Sequence, residues 1–188
     1  MLSDLLHLSS ASAAAFVALL LLRAALHKAG DGDGFEGVLA DYGLVPEPIL
    51  KPLRATLPGL EIAAAVALSA SPLRVLGVGL AGGLLLAYGA AMAAALRQGR
   101  TEIDCGCGGP PTPLSWSLVA RNLVLAAALV PAGLGLGEWQ TLGETGVGWS
   151  MALIGLACWI ACEHLAANHQ RMRQAHGPSA ANLFRGAT

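Results

Sequence analysis

The chain has 188 residues, 55% of them hydrophobic and only 12% charged, with a mean hydropathy of +0.60 and a formal net charge of −1. A soluble domain carries about 25% charged residues, so this composition leaves too little polar surface to cover a water-soluble globule and predicts a membrane protein. The near-neutral charge argues against a nucleic-acid partner, and four cysteines without dense spacing exclude a disulfide-stapled secreted module.

The first stretch, MLSDLLHLSSASAAAFVALLLLRAALHKAG, has no Lys or Arg ahead of its apolar run. It lacks the basic start of a cleaved signal peptide and reads as a retained first span over residues 12–29. Further apolar segments follow at 52–71, 73–96, 115–135 and 147–167, each near the length of about 20 residues that crosses a bilayer. The segment 52–71 is the least apolar of these, because Lys51, Arg54 and Glu61 crowd its start. The expected fold is an all-α polytopic membrane helix bundle of about five transmembrane helices, or four if that segment does not insert. Residues 30–51 and 97–114 read as loops, and 168–188 as a polar, disordered tail. Abundant Ala and Gly favour close helix–helix approach, with Gly79 and Gly83 at GxxxG spacing. Pro131 predicts a kink in the fourth span.

Threading five spans up and down distributes Lys and Arg very unequally. Lys28, Lys51, Arg54, Arg97, Arg100, Arg121, Arg171, Arg173 and Arg185 fall on one face, against Arg74 on the other. The positive-inside rule makes the basic face cytoplasmic. The same threading brings Arg23, Glu61, Arg121, Cys158, Cys162, Glu163 and His164 toward that face. Ionisable groups inside spans point to function. Arg23 and Glu61, opposite in charge and similar in depth, are expected to form an intramembrane ion pair. Lys28 and Arg121 also fit a plainer role, snorkelling to the headgroups.

The stretch RQGRTEIDCGCGGPPTPLSW, residues 97–116, sets Cys105 and Cys107 one glycine apart in a polar, Gly- and Pro-rich segment on that face. So short a spacing strains a disulfide and suits exchange better than stapling, and the central glycine eases the backbone demand. Arg97 and Arg100 are expected to raise the thiolate fraction and Asp104 to oppose them. Cys158 and Cys162, four apart on one helix face, read either as small apolar fillers or as a second relay pair. Under an alternative reading, Cys105, Cys107, Cys162 and His164 hold Zn or Cu(I); thiol exchange itself requires no cofactor. The sequence contains no CxxC, no haem-attachment motif and no recognisable quinone-site signature.

Four stretches in order, LLRAALHKAGDGDGFEGVLADYGLVP, LPGLEIAAAVAL, ALRQGRTEIDCGCGG and SLVARNLVLAAAL, resemble the MauE family of methylamine utilisation membrane proteins, also described as MauE/DoxX-type redox-associated membrane proteins. The resemblance runs from about Arg23 to Leu129, and its most specific part is the G-R-x-x-x-D-C-G-C motif. It implies a multi-span inner-membrane protein acting with a thioredoxin-like partner or an exported client. In the family that client is methylamine dehydrogenase, whose small subunit carries many disulfides and a tryptophan-derived cofactor. The carry-over attaches to Cys105 and Cys107 first, then to Glu61, Arg100 and Arg121. Gly108 stands where the family often has an aromatic residue, which predicts weaker membrane seating of the loop. An exported client would place the loop outside, whereas the charge distribution places it in the cytoplasm. The leading expectation is a membrane thiol–disulfide oxidoreductase. The alternatives are a metal-binding or metal-transfer protein and a non-catalytic assembly factor.

Overall fold

A computed structural model of the protein describes residues 2–108, 112–136 and 142–175. Seven helices follow one another: α1 (Leu2–Gly30), α2 (Gly32–Tyr42), α3 (Glu47–Ser69), α4 (Arg74–Arg97), α5 (Trp116–Ala128), α6 (Val130–Gly133) and α7 (Leu142–Ala175). No strand occurs among the described residues. α3 packs between α1 and α4, α5 lies on α4, and α7 lies along α1. The core joins Val17 and Leu21 of α1, Ala64 and Leu68 of α3, and Ala81 and Leu85 of α4. Outward-facing Val75, Leu76, Val124, Ile154 and Leu165 are exposed, so the apolar surface is continuous with the bundle's exterior, as a lipid-facing belt requires.

Four helical stretches are long and apolar enough to cross a membrane: Asp4–Gly30, Ser71–Arg97, Trp116–Gly133 and Thr145–His169. α3 is 23 residues long, about 35 Å at 1.5 Å per residue, yet falls outside that set. Lys51, Arg54 and Glu61 lower its hydropathy, but Glu61 points into the bundle and is fully buried. α3 is therefore a membrane-length helix that turns its mid-helix carboxylate into the protein, while Lys51 near its start is exposed. Pro131 stands at the start of the short α6, just past a break at Leu129. α7 continues to Ala175, beyond the expected end at 167. The rest of the expected tail, 176–188, lies outside the described residues.

The segment 30–51, expected as a loop, contains α2. Asp31 caps it by accepting the Gly34 N–H at 3.0 Å, and Gly43 closes it in the left-handed region at φ 60°. Arg54 of α3 ties it down through Asp33 and, at 3.1 Å, Glu36. Phe35 and Tyr42 turn inward from it.

The close helix approach is not at Gly79 and Gly83, around which a Cβ would meet nothing within 4 Å. It is at Gly77, where an added Cβ would stand 2.5 Å from the Leu68 backbone nitrogen. The tight Ser71–Leu73 turn brings the start of α4 against the end of α3 backbone to backbone. Nearby, buried Arg74 donates from Nε to the Leu68 carbonyl at 3.4 Å, serving a helix end that lacks intrahelical partners. Gly77→Ala is expected to destabilise the purified protein by about 1–3 kcal/mol through overpacking. Gly79→Ala should leave the unfolding temperature unchanged or raise it, and thermal unfolding in detergent compares the two.

Candidate functional site

Past α4 the chain turns through Gly99, and Arg100 reaches the Asp41 carbonyl at the end of α2, 2.6 Å away. The loop then doubles back as a short antiparallel pair. Leu114 donates to the Ile103 carbonyl and Cys105 to the Thr112 carbonyl, both at 3.2 Å. Asp104 braces the turn from inside, its Oδ1 accepting the N–H of Thr112 at 3.3 Å and of Gly106 at 3.4 Å. Tyr42 donates its hydroxyl to the Cys105 carbonyl at 3.2 Å. Beneath the loop lie Met92, Ala95, Leu118 and Val119, with both cysteines packed partly against them.

Two glycines let the loop seat this closely. Gly106 has φ 67°, and a Cβ there would meet Val38 at 3.0 Å. Gly108 has φ 80°, and a Cβ would meet the Ala24 backbone at 3.1 Å and His27 at 3.2 Å. In this backbone conformation a side chain is strained as well as crowded. The bare backbone at 108 is what presses the loop onto α1, a contact with protein that is separate from seating in the membrane. The Cys-Gly-Cys segment is a half-buried plug, not a wet turn.

The two thiols are unequal. Both are free; Cys107 donates its N–H to Cys105 Sγ at 3.3 Å, and its thiol reaches the Cys105 carbonyl at 3.5 Å. A hydrogen bond from the Cys105 thiol, then the charges of Arg121 and Lys28, outweigh burial and hold Cys107 at about 7. The same hydrogen bond and burial push Cys105 far up. Cys107 is therefore the more readily ionised thiol of the pair. Burial, followed by the neighbouring thiols, also raises Tyr42 and keeps its hydroxyl protonated as a donor.

Behind the loop lies a cavity of about 260 Å³ whose charged lining consists of Arg23, Lys28, Arg121, Glu61 and Glu163. Buried Lys28 pairs with fully buried Glu61, and Tyr88 donates to Glu61 Oε1 at 2.8 Å. The Lys28 ammonium stands 4.9 Å from the Tyr88 ring centre and 5.3 Å from that of Phe35. On the opposite wall Arg23 meets Glu163 at 2.8 Å and Arg121 meets it at 3.8 Å. Trp159 donates its indole N–H to Glu163 Oε1 at 2.9 Å, with Arg121 over its ring at 5.5 Å. Three cations thus face two carboxylates in this lining, and the Cys107 thiolate supplies the balancing negative charge.

Several expected placements change. Glu61 pairs with Lys28, not with Arg23, because five residues along α1 turn the helix face by about 140°. Arg23 consequently faces α7 and Lys28 faces α3 and α4. Neither Arg97 nor Arg100 acts on the thiols: Arg97 is exposed, and Arg100 caps α2. The cations that do act, Arg121 and Lys28, are those that also fitted snorkelling. Asp104 braces the loop backbone. Cys158 and Cys162 are exposed on the outer side of α7 and take no part in the cavity lining, whereas Trp159 and Glu163 of the same helix turn inward. The second relay pair is therefore not brought to the first. Exposed His164 and Cys162 are likewise apart from the loop, and no group of three or more His, Cys, Asp or Glu fit to hold a metal occurs among the described residues. The sequence reading missed Lys28, Tyr42, Tyr88, Trp159 and Glu163 as site residues. One signal was available: the chain has two tyrosines, and both stand here.

Helices of membrane length around an internal ionic cluster, closed at one end by a partly buried thiol pair, define a polytopic α-helical membrane protein with a thiol site. The chain belongs to the family described as methylamine utilisation protein MauE, whose family model matches residues 6–136. It is 42% identical over 123 residues to methylamine utilization protein MauE of Paracoccus denitrificans, covering 64% of this chain and 66% of that one. To the protein of the same name from Methylorubrum extorquens it is 40% identical over 149 residues, covering 74% and 80%. To that of Methylophilus methylotrophus it is 43% identical over 103 residues, covering 55% and 54%. No solved structure matches. The family match includes the loop and α1 to α5 and ends before α7, so Trp159 and Glu163 lie beyond it.

The unequal thiols give a pH prediction. Only the thiolate alkylates, and a Cys107 value lowered to about 7 means that its reactivity is small at about pH 5.5 and rises through neutrality to a plateau by about pH 8.5. Cys105 should stay unreactive over that range. Arg121→Gln removes a stabilising charge and should move the Cys107 midpoint upward. Iodoacetamide labelling in detergent, read by mass spectrometry of the loop peptide, measures all three.

Proposed function

We propose that this protein exchanges electrons with a partner's thiols through Cys105 and Cys107 and so supports maturation of a client, which for the relatives' named role would be a protein of methylamine utilisation. The observation that carries the reading is geometric: two free thiols one residue apart are packed over a cavity whose lining includes Arg121 and Lys28. A pair of incidental thiols needs neither cation.

With the pair oxidised, a client thiolate attacks Cys105 Sγ. The Cys105–Cys107 bond breaks, and Cys107, the more readily ionised sulfur, leaves as the thiolate its cations favour. A second client thiolate then attacks the mixed disulfide at the client sulfur and displaces Cys105, which takes up a proton. The client gains a disulfide, and the two electrons reside on the Cys105–Cys107 pair. Tyr42 and Asp104 hold the loop in place throughout.

Cys105→Ser and Cys107→Ser should each abolish exchange with a thioredoxin-like protein, and Arg121→Gln should slow it by about tenfold, as loss of a charge-assisted interaction predicts. Stopped-flow oxidation of a reduced thioredoxin-like partner by the oxidised protein measures this. A double Cys→Ser protein that still supports client maturation in cells would instead make the loop a non-catalytic docking element.

The distribution of Lys and Arg supports a cytoplasmic loop in the inner membrane. A membrane-impermeant maleimide applied to intact cells should then leave Cys107 unlabelled until the membrane is permeabilised. Labelling of intact cells would place the loop and its client outside.

A further inference from the structure

Cys105 and Cys107, both half-buried, line the cavity behind the loop. Apart from its ionic groups the cavity is walled by side chains such as Leu57, Leu85 and Leu125. Its volume, about 260 Å³, sits just below the usual range of small-molecule sites, about 300–1,000 Å³. That suits a single-ring head group.

On one side the cavity is walled by two helices with little packing between them. α7 lies on α1 and makes no comparable packing with α5 among the described residues, although both helices supply its wall. Between them the described ties are the Arg121–Glu163 pair at 3.8 Å and Arg121 over Trp159. This seam faces the direction of the lipid.

Within the cavity the Oε2 atoms of Glu61 and Glu163 both lack a hydrogen-bond partner among the described residues, and that of Glu163 stands in an ion pair 2.8 Å from Arg23. Glu61 is fully buried. Lys28 beside it carries three N–H donors, of which one faces Glu61 Oε1. An occupant is thus offered a donor for a carbonyl and an acceptor for a hydroxyl at the same place, between the rings of Phe35 and Tyr88.

We propose that this cavity receives the ring of a lipid-soluble quinone, which enters between α5 and α7 and takes the two electrons of the reduced Cys105–Cys107 pair. The proposal rests on the exchange function above and supplies its electron acceptor. Lys28 meets the carbonyl of the oxidised ring, and Glu61 Oε2 accepts from the hydroxyl of the reduced one. The Cys107 thiolate adds to the ring. Cys105 then loses its proton and attacks the Cys107 sulfur, so the S–S bond forms as the C–S bond breaks. Two electrons stay on the ring. It takes up two protons, one from Cys105 and one equal to that released when Cys107 ionised. Dithiol and quinone become disulfide and hydroquinone.

The test uses the full chain, reduced, in lipid nanodiscs without oxygen, mixed with a one-isoprene ubiquinone. Quinone absorbance and thiol counts by mass spectrometry are followed together. Hydroquinone and the Cys105–Cys107 disulfide should form in equal amounts. Glu61→Gln should slow the reaction by about tenfold, the scale of a lost hydrogen bond to a charged group. Leu125→Trp, which fills cavity space without removing an ionic group, should slow it at least as much. Oxidation by glutathione disulfide, which approaches from the loop side, should be unchanged in Leu125→Trp. If glutathione disulfide oxidises the pair and the quinone does not, the quinone site is wrong and the exchange function stands. Equal quinone rates in wild type and Leu125→Trp would overturn the site in the same way. If neither oxidant forms the disulfide, the exchange function fails and the quinone site with it. Should Glu61→Gln not fold, Leu125→Trp and quenching of Trp159 fluorescence by the quinone, with Trp159→Phe as control, decide the matter.

Discussion

The buried pair of Lys28 and Glu61 is the constraint on which the site depends. Taking both charges out of water is costly, and such a pair adds little net stability compared with an apolar replacement. Breaking it is another matter: an unpaired buried charge costs about 3–5 kcal/mol. The pair therefore acts as a condition on assembly. α1, α3 and α4 must come together so that Lys28, Glu61 and Tyr88 meet. Once they do, the Lys28 ammonium is held near Cys107 in a medium where its charge acts strongly. The same contact explains how α3 can carry a carboxylate and still pack as a membrane-length helix.

The loop is the second layer of that arrangement. It reaches the cations only because Gly106 and Gly108 let bare backbone lie against α1 and α2. α2 in turn offers Tyr42 to the Cys105 carbonyl and its own C-terminal carbonyl to Arg100. Each element is weak alone: a short helix, a two-bond ladder, one tyrosine. Together they hold both sulfurs against the charged cavity. The inequality of the two cysteines, identical in the chain and separated by one residue, is wholly a product of that seating.

On the far wall, α7 contributes Glu163 and Trp159 while packing chiefly on α1, with Arg121 of α5 meeting both residues. Phe16 and Trp159 meet edge to face with ring centres 5.8 Å apart, and Gly155 lets α7 sit against the Phe16 ring. The face with Cys158 and Cys162 is turned outward. A helix that shows one side to the bundle and the other to lipid accommodates cysteines as small apolar side chains, which accounts for them without chemistry.

Much was legible in the chain itself. Composition and apolar run length determined a membrane helix bundle, since the bilayer's thickness sets the length of its spans whatever the packing. The Cys-Gly-Cys motif, and the gathering of Arg121, Glu61 and Arg23 near one face, followed from helix order alone, because up-and-down threading fixes depth. Threading says nothing about rotation. Whether Arg23 or Lys28 faces Glu61, whether Gly77 or Gly79 meets a neighbour, and whether Trp159 or Cys158 looks inward depend on azimuth about each helix axis. In a chain this rich in Ala and Gly nearly every face is apolar, so no periodicity marks the inner one. α2 was hidden for a different reason: its polar, glycine-rich sequence resembles a loop until Asp31 caps it and Arg54 ties it down. The sequence determined which groups share a level in the membrane; tertiary packing alone decided which of them touch, and so which sulfur carries the charge.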